Sequence, residues 1–329
     1  MSSNLYPLKF EPILKKRIWG GSKLVSDYGK KGQIAEAQIG ESWELSSVEG
    51  DISVVSNGFL AGNSIQELIE VYMGDLVGEK VYEKFGIEFP LLIKLIDANE
   101  DLSVQVHPND ELARERHHAW GKSEFWHILE CEGNAELVAG FHDNVSKEVF
   151  LKSLAERKLD SILRKVNVKK GDSLYCPAGM VHAIGKGILL VEIQQTSDVT
   201  YRIYDWDRRD NEGKPRELHT DLALDAIDFE RKPDVISQQD VAENGSRQLI
   251  NNQYFAVNHI SASSPIEKST LDSQSFTIFF CIDGGFTVNW SKNQSVQVKR
   301  GELVLIPAEL TTYTLLPINE TFLLEIFIP

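Results

Sequence analysis

Cysteine is scarce in this chain: three in 329 residues, Cys131, Cys176 and Cys281, with no CxxC pair. An odd, widely spaced set offers no disulfide framework and no zinc-ribbon or dithiol redox motif, and predicts free thiols in a reducing compartment. Positive charge is also short. Lys and Arg number 34 against 49 Asp and Glu, a formal net charge of −15. Such a field repels nucleic acid and anionic membrane surfaces, so neither is an expected partner, and an anionic small substrate needs a local basic pocket. No apolar run approaches the roughly 20 residues of a membrane span. The opening MSSNLYPLKFEPILKKRIWGG lacks the apolar core of a signal peptide. A cytoplasmic protein is expected. What is present, 42% hydrophobic and 25% charged residues, suits about two globular domains of roughly 100–200 residues each.

The most specific local pattern is GDSLYCPAGMVH, residues 171–182, which reads G-x5-P-x-G-x2-H. Gly171 permits a turn into a strand. Pro177 and Gly179 make a tight corner, one fixing φ and the other free to adopt φ > 0. The corner delivers His182 inward, where an imidazole can bind a metal. This stretch resembles the second signature of the cupin β-barrels. Upstream, Ser103-Val104-Gln105-Val106-His107-Pro108 alternates like a strand. Ser103, Gln105 and His107 share one face, and Leu102, Val104 and Val106 the other. Polar groups turned into a barrel need a reason to be buried, and a metal supplies one. Gly121-Lys122-Ser123-Glu124 opens the run Phe125-Trp126-His127-Ile128-Leu129, with Glu124 its first inward carboxylate and His127 pointing the other way. Gln105, His107, Glu124 and His182 together form an N/O cage for a divalent first-row metal.

Around these motifs the spacing predicts a helix from Ser64, with Glu67 completing a capping box, and helices over 109–120, 146–158 and 220–229. Strands are expected over 89–96 and 166–193, and an all-β pattern from about 247 onward. There is an internal echo. Gly301 to Thr312 repeats the G-x5-P frame, with Glu309 in place of the second glycine and Thr312 in place of the histidine. Aligning Cys281–Gly284 with Glu130–Gly133 puts Ser275 at the place of Glu124. The expected fold is mostly β, with two cupin (jelly-roll) barrels and a few helices mainly in the N-terminal two-thirds. Residues 1–232 form a catalytic cupin domain with helical insertions, 233–246 a polar linker, and 247–329 a degenerate barrel without metal ligands.

Several runs in order resemble the type I phosphomannose isomerases, zinc-dependent mannose-6-phosphate isomerases. They are Ile18-Trp19-Gly20-Gly21, Gly40-Glu41-Ser42-Trp43-Glu44, Ser103–Pro108, Gly121–Glu124, the stretch ending at His182, and Glu192–Arg202. The short chain, with no room for a helical domain between the barrels, is similar to the compact bacterial form. The resemblance implies one zinc per chain, bound by Gln105, His107, Glu124 and His182. It implies a hexose phosphate substrate, with Lys122 and Arg202 lining the pocket and Ser103, Lys122 and Arg208 holding the phosphate.

Interconverting mannose 6-phosphate and fructose 6-phosphate moves a proton between C2 and C1 through a cis-enediol(ate), which needs charge stabilisation and one proton carrier. Arg202 stays protonated, so it stabilises and positions. The carrier is open among Lys122, Glu192 and a metal-bound water. Two other functions compete: a cupin oxygenase, against which the Gln105 and Glu124 ligands argue, and a sugar-binding cupin without turnover.

Overall fold

Runs of β-branched and aromatic residues dominate the chain, and they form strands in preference to helices. The structure, a computed structural model, describes residues 5–31, 38–209, 213–237, 241–269 and 274–329. Among them no helix is long and apolar enough to cross a membrane. Contacts divide the chain into two compact units. One gathers Met1–Ile13, Trp43–Leu92 and Gln239–Pro329, and the other Leu14–Ser42 and Ile93–Gln238. These units are discontinuous, whereas the sequence suggested consecutive stretches, because polar composition marks loops and not which segments meet. The expected linker 233–246 needs correction. Asp234–Ile236 is a strand that pairs antiparallel with Ser173–Cys176 at the edge of a sheet.

The unit built on Ile93–Gln238 carries two sheets. In the larger, the order is Ile13–Gly21, Ile39–Leu45, Leu91–Ala98, Ile188–Gln195, Glu124–Cys131, Ser173–Cys176 and Asp234–Ile236. In the smaller it is Tyr201–Tyr204, Val104–Val106, His182–Ile184, Glu136–Phe141 and Leu163–Asn167. Leu91–Ala98 and Ile188–Gln195 are buried along their whole length, as near-continuous apolar runs require. One core cluster forms around Trp19, Trp126, Met180 and Leu190, and another around Val104, Val106, Phe150 and Tyr201. The expected helices are present as Ile65–Val77, Asp110–His117, Lys147–Ala155 and Thr220–Ala226. Ser64 and Glu67 form the capping box, and the side chains of Asn109 and Ser146 cap the next two, each satisfying an otherwise unpaired amide.

The corner before His182 is a turn closed by Met180 N donating to Pro177 O at 3.1 Å, with Gly179 at φ +89°. A Cβ on Gly179 would stand 3.1 Å from Ala226 O, so both conformation and space call for glycine there. The other unit repeats the strand order. Leu91–Ala98, Ile188–Gln195, Glu124–Cys131 and Ser173–Cys176 find their match in Ala256–Ala262, Thr321–Phe327, Thr277–Asp283 and Leu303–Ile306. The smaller sheet is echoed by Ile266–Ser269, Thr312–Pro317, Gly285–Ser291 and Gln294–Lys299. Register sharpens the comparison. Cys176 pairs with Glu124 and Ile306 with Thr277, so the counterpart of Glu124 is Thr277 and not Ser275. Ser269, paired with Thr312, stands for Gln105, paired with His182. Glu325, opposite Phe279, stands for Glu192, opposite Trp126. That carboxylate survives in the second copy, held by Lys268 at 2.6 Å and Asn258 at 2.9 Å.

Candidate metal centre

Strand pairing brings the expected ligands together. His182 and Arg202 both stand opposite Gln105 on neighbouring strands, so the three side chains share one face of the smaller sheet. His107 follows immediately on the Gln105 strand. Glu124 enters from the first position of its own strand, fully buried. The resulting distances are short. His107 Nε2 lies 3.1 Å from Glu124 Oε1, His182 Nε2 lies 3.5 Å from Glu124 Oε2, and the two Nε2 atoms are 3.2 Å apart. The Gln105 amide reaches the same point, 3.4 Å from His182 Nε2, and a half-turn of that amide exchanges its nitrogen and oxygen.

The tautomers follow from the partners. His107 Nδ1 lies 2.9 Å from Val199 O and His182 Nδ1 2.8 Å from Met180 O. A carbonyl only accepts, so each Nδ1–H donates and each Nε2 presents a lone pair. Two lone pairs therefore face one another beside a carboxylate. Neither Glu124 oxygen has a hydrogen-bond partner of good geometry, although both lie within ion-pair distance of their neighbours. Burial pushes the His107 imidazole down to about 3, aided by the Lys122 ammonium, and burial likewise lowers His182. Both rings are thus neutral donors. Four ligands at roughly 2.0–2.1 Å in a tetrahedral array stand about 3.4 Å apart, close to the spacings above. The donor set fits a divalent cation, and His107, Glu124 and His182 are close enough to share one.

Charged groups surround this point. Lys122 Nζ lies 3.0 Å from Glu124 Oε1 and 3.4 Å from His107 Nε2. Burial pulls its pKa down, but the carboxylates of Glu124, Glu192 and Glu41 outweigh that and raise it. For Glu124 burial acts upward, and Lys122 with the histidines brings it well below the usual carboxylate range. Glu192 goes the other way. Burial and the Glu124 charge raise it despite Lys94 and Lys122. Its oxygens accept from Lys94 Nζ at 3.1 Å and Trp126 Nε1 at 2.8 Å.

Arg202 donates through Nη1 to Glu217 O at 2.8 Å, while its buried Nε has no partner. Asp205 binds Arg208 at 2.6 Å and Arg216 at 2.7 Å. Arg208 therefore belongs to a clamp around Asp205 close in sequence to Arg202. Ser103 is buried two residues before Gln105, and His127 turns away to Ser173 Oγ at 2.9 Å. Sequence reasoning missed Lys94, whose Nζ also donates to Gln194 Oε1 at 2.6 Å. A single lysine inside the apolar run 91–96 was the available signal. It also missed Arg216 and the hydrogen-bonding role of Trp126.

Comparison with known proteins shows the family of the chain. The family described as phosphomannose isomerase type I, catalytic domain, matches residues 7–127, and mannose-6-phosphate isomerase, cupin domain, matches residues 246–316. The mannose-6-phosphate isomerase ManA of Bacillus subtilis (strain 168) is 38% identical over 94% of this chain and 95% of its own. A mannose-6-phosphate isomerase of Streptococcus mutans is 40% identical over 67% of each chain. The crystal structure of the Bacillus subtilis mannose 6-phosphate isomerase superposes with a TM-score of 0.86 at 32% identity, covering 98% of this chain and 99% of the other.

Proposed function

The chain belongs to the type I phosphomannose isomerases, and on that premise we propose that it interconverts mannose 6-phosphate and fructose 6-phosphate at the His107–Glu124–His182 centre, with one zinc ion per chain. The observation that carries this reading is the pair of Nε2 lone pairs 3.2 Å apart beside a buried carboxylate without hydrogen-bond partners. Gln105 is the fourth ligand. When bound, an ion held by these residues would supply Lewis acidity towards the substrate oxygens.

The remaining steps fall to the protein. Lys122, held as an ammonium, stabilises negative charge developing on the sugar oxygens. Glu192, its pKa raised by burial and the Glu124 charge, takes the C2 proton of the open-chain aldose and returns it to C1, while the proton of the C2 hydroxyl passes to the C1 oxygen. Lys94 and Trp126 fix its two oxygens, one each. Arg202, with donor capacity unused at Nε, faces the substrate from the Gln105 row. Ser103, Lys122 and Arg208 are the proposed phosphate contacts. No electrons are lost, so the reaction needs no redox cofactor.

Proton NMR of the purified protein with mannose 6-phosphate tests this, with and without a chelator that is later back-titrated with zinc. The expected result is fructose 6-phosphate, lost on chelation and restored by zinc. No conversion in the zinc-replete sample rejects the reaction and returns the oxygenase and sugar-binding readings. Conversion that survives verified metal removal rejects the metal centre.

A further inference from the structure

Lys122 sits on a segment, residues 118–123, that lies outside any helix or strand, and Glu124 begins the strand that follows. The segment's shape must therefore come from other bonds. Three consecutive amides each find a separate acceptor. Gly121 N donates to Asp110 Oδ1 at 2.9 Å, Lys122 N to Pro108 O at 3.1 Å, and Ser123 N to Gln195 Oε1 at 2.9 Å. Gln195 then closes a ring. Its Nε2 donates to the same Asp110 Oδ1 at 2.9 Å, and its backbone N donates to Ser123 O at 3.2 Å. A carboxamide accepts and donates through separate atoms without charge, which is what this bridge requires. Gly121 is held tightly in turn, since a Cβ there would come within 2.5 Å of Asp110 N.

Asp110 opens the helix three residues after His107, and Gln195 ends the strand three residues after Glu192. The ring thus joins the segments that supply His107, Lys122 with Glu124, and Glu192, yet neither Asp110 nor Gln195 is a ligand. We propose that Gln195 and Asp110 are positioning residues for the metal centre. Their ring sets the turn at 121–123 so that Glu124 and Lys122 reach the point shared by His107 and His182, and breaking it weakens cation binding and turnover with every ligand intact. This rests on the reading that those four residues hold the ion.

The test uses full-length protein stripped of metal. Zinc affinity is measured by competition with a chromogenic chelator, beside kcat and KM for mannose 6-phosphate and the Tm of the metal-free protein. Gln195→Ala and Asp110→Ala are expected to bind zinc about 10–100-fold more weakly, as loss of an outer partner does, and to lose kcat at saturating zinc with less change in KM. Asp110→Asn keeps the Oδ1 acceptor and should restore affinity to within about threefold of the native value. The double alanine variant should be no weaker than the weaker single one, because one ring is broken once.

Native zinc affinity in both alanine variants, whatever their Tm, overturns the proposal. So does an Asp110→Asn protein as weak as Asp110→Ala. Should Gln195→Ala fail to fold, the Asp110 pair carries the test alone. A native protein that binds zinc but converts no mannose 6-phosphate counts against the proposed reaction and not against the ring, since binding is read without substrate.

Discussion

Replacing His182 by alanine probes the metal centre through a cycle with four corners: native and variant, each with and without cation. Without cation the change removes a buried imidazole that lies edge-on to Trp126 at 5.3 Å and 4.8 Å from the His107 ring. Truncation in such a closed site costs about 2–4 kcal/mol, offset in part because two facing lone pairs are separated. With cation at about 1,000 times its Kd, the native protein gains roughly 4 kcal/mol. A unit of about 150–250 residues moves its midpoint by roughly 2–4 °C per kcal/mol, so Tm should rise by about 8–16 °C. Loss of one ligand costs at least the roughly 100-fold that attends loss of an outer partner, about 2.7 kcal/mol. The variant's gain at the same zinc concentration then falls to about 1.4 kcal/mol, a rise of roughly 3–6 °C. Scanning calorimetry of both proteins, chelated and at matched zinc, reads all four corners. A variant that keeps the native zinc-induced rise refutes the assignment of His182, however unstable it is without metal.

On the proposed reading Lys122 and the cation would compete for Glu124, so Lys122→Met should bind zinc more tightly while kcat/KM falls by about 100–1,000-fold; weaker zinc binding in chelator competition contradicts the role given to the ammonium. Burial pushes the Asp205 carboxyl up, but Arg216 and Arg208 bring it below the usual range. A depressed native pKa stabilises above the unfolded value of about 3.9 and ceases to do so as pH falls through the native value. The Tm gap between native protein and Asp205→Asn should therefore be full from pH 7 to about pH 5 and shrink below about pH 4; a gap constant down to pH 2 argues against the arginine clamp. Burial raises the thiol of Cys176 well above its ordinary value and that of Cys281 to about 12, whereas Cys131 is half-exposed. Iodoacetamide at pH 8 should label Cys131 first, and equal labelling of Cys176 in the folded protein, read by mass spectrometry, would show that site to be open.

Most of the proposed ligands could be picked out from the sequence because they carry local constraints. The Pro177–Gly179 corner aims one side chain, and alternation over 103–107 fixes the face of two more. The counterpart of Glu124 in the repeat came out two positions off, at Ser275, because alignment through a turn ignores the pairing register, and register is what assigns Thr277. Lys94 was hidden by its neighbours, since an apolar run reads as core and its one charge drew no question about a partner. Asp110 and Gln195 stand 85 residues apart, and no periodicity links two polar side chains that meet across a loop. Residues 234–236 looked like linker because Pro233 and the polar stretch after them mask a three-residue strand.

The discontinuous division of the chain bears on how it is made. Residues 43–92 leave the ribosome long before residues 239–329 that complete their compact unit. The end of helix Ile65–Val77 shows the delay, since Asp75 O, Leu76 O and Val77 O accept from the amides of Glu309, Ala308 and Phe276. Until those amides emerge, three helix-terminal carbonyls lack their final partners. The segments of the cation-binding unit have by then all been synthesised. A nascent chain halted near residue 240 would thus own every proposed metal ligand and still present an incomplete second unit to chaperones and proteases.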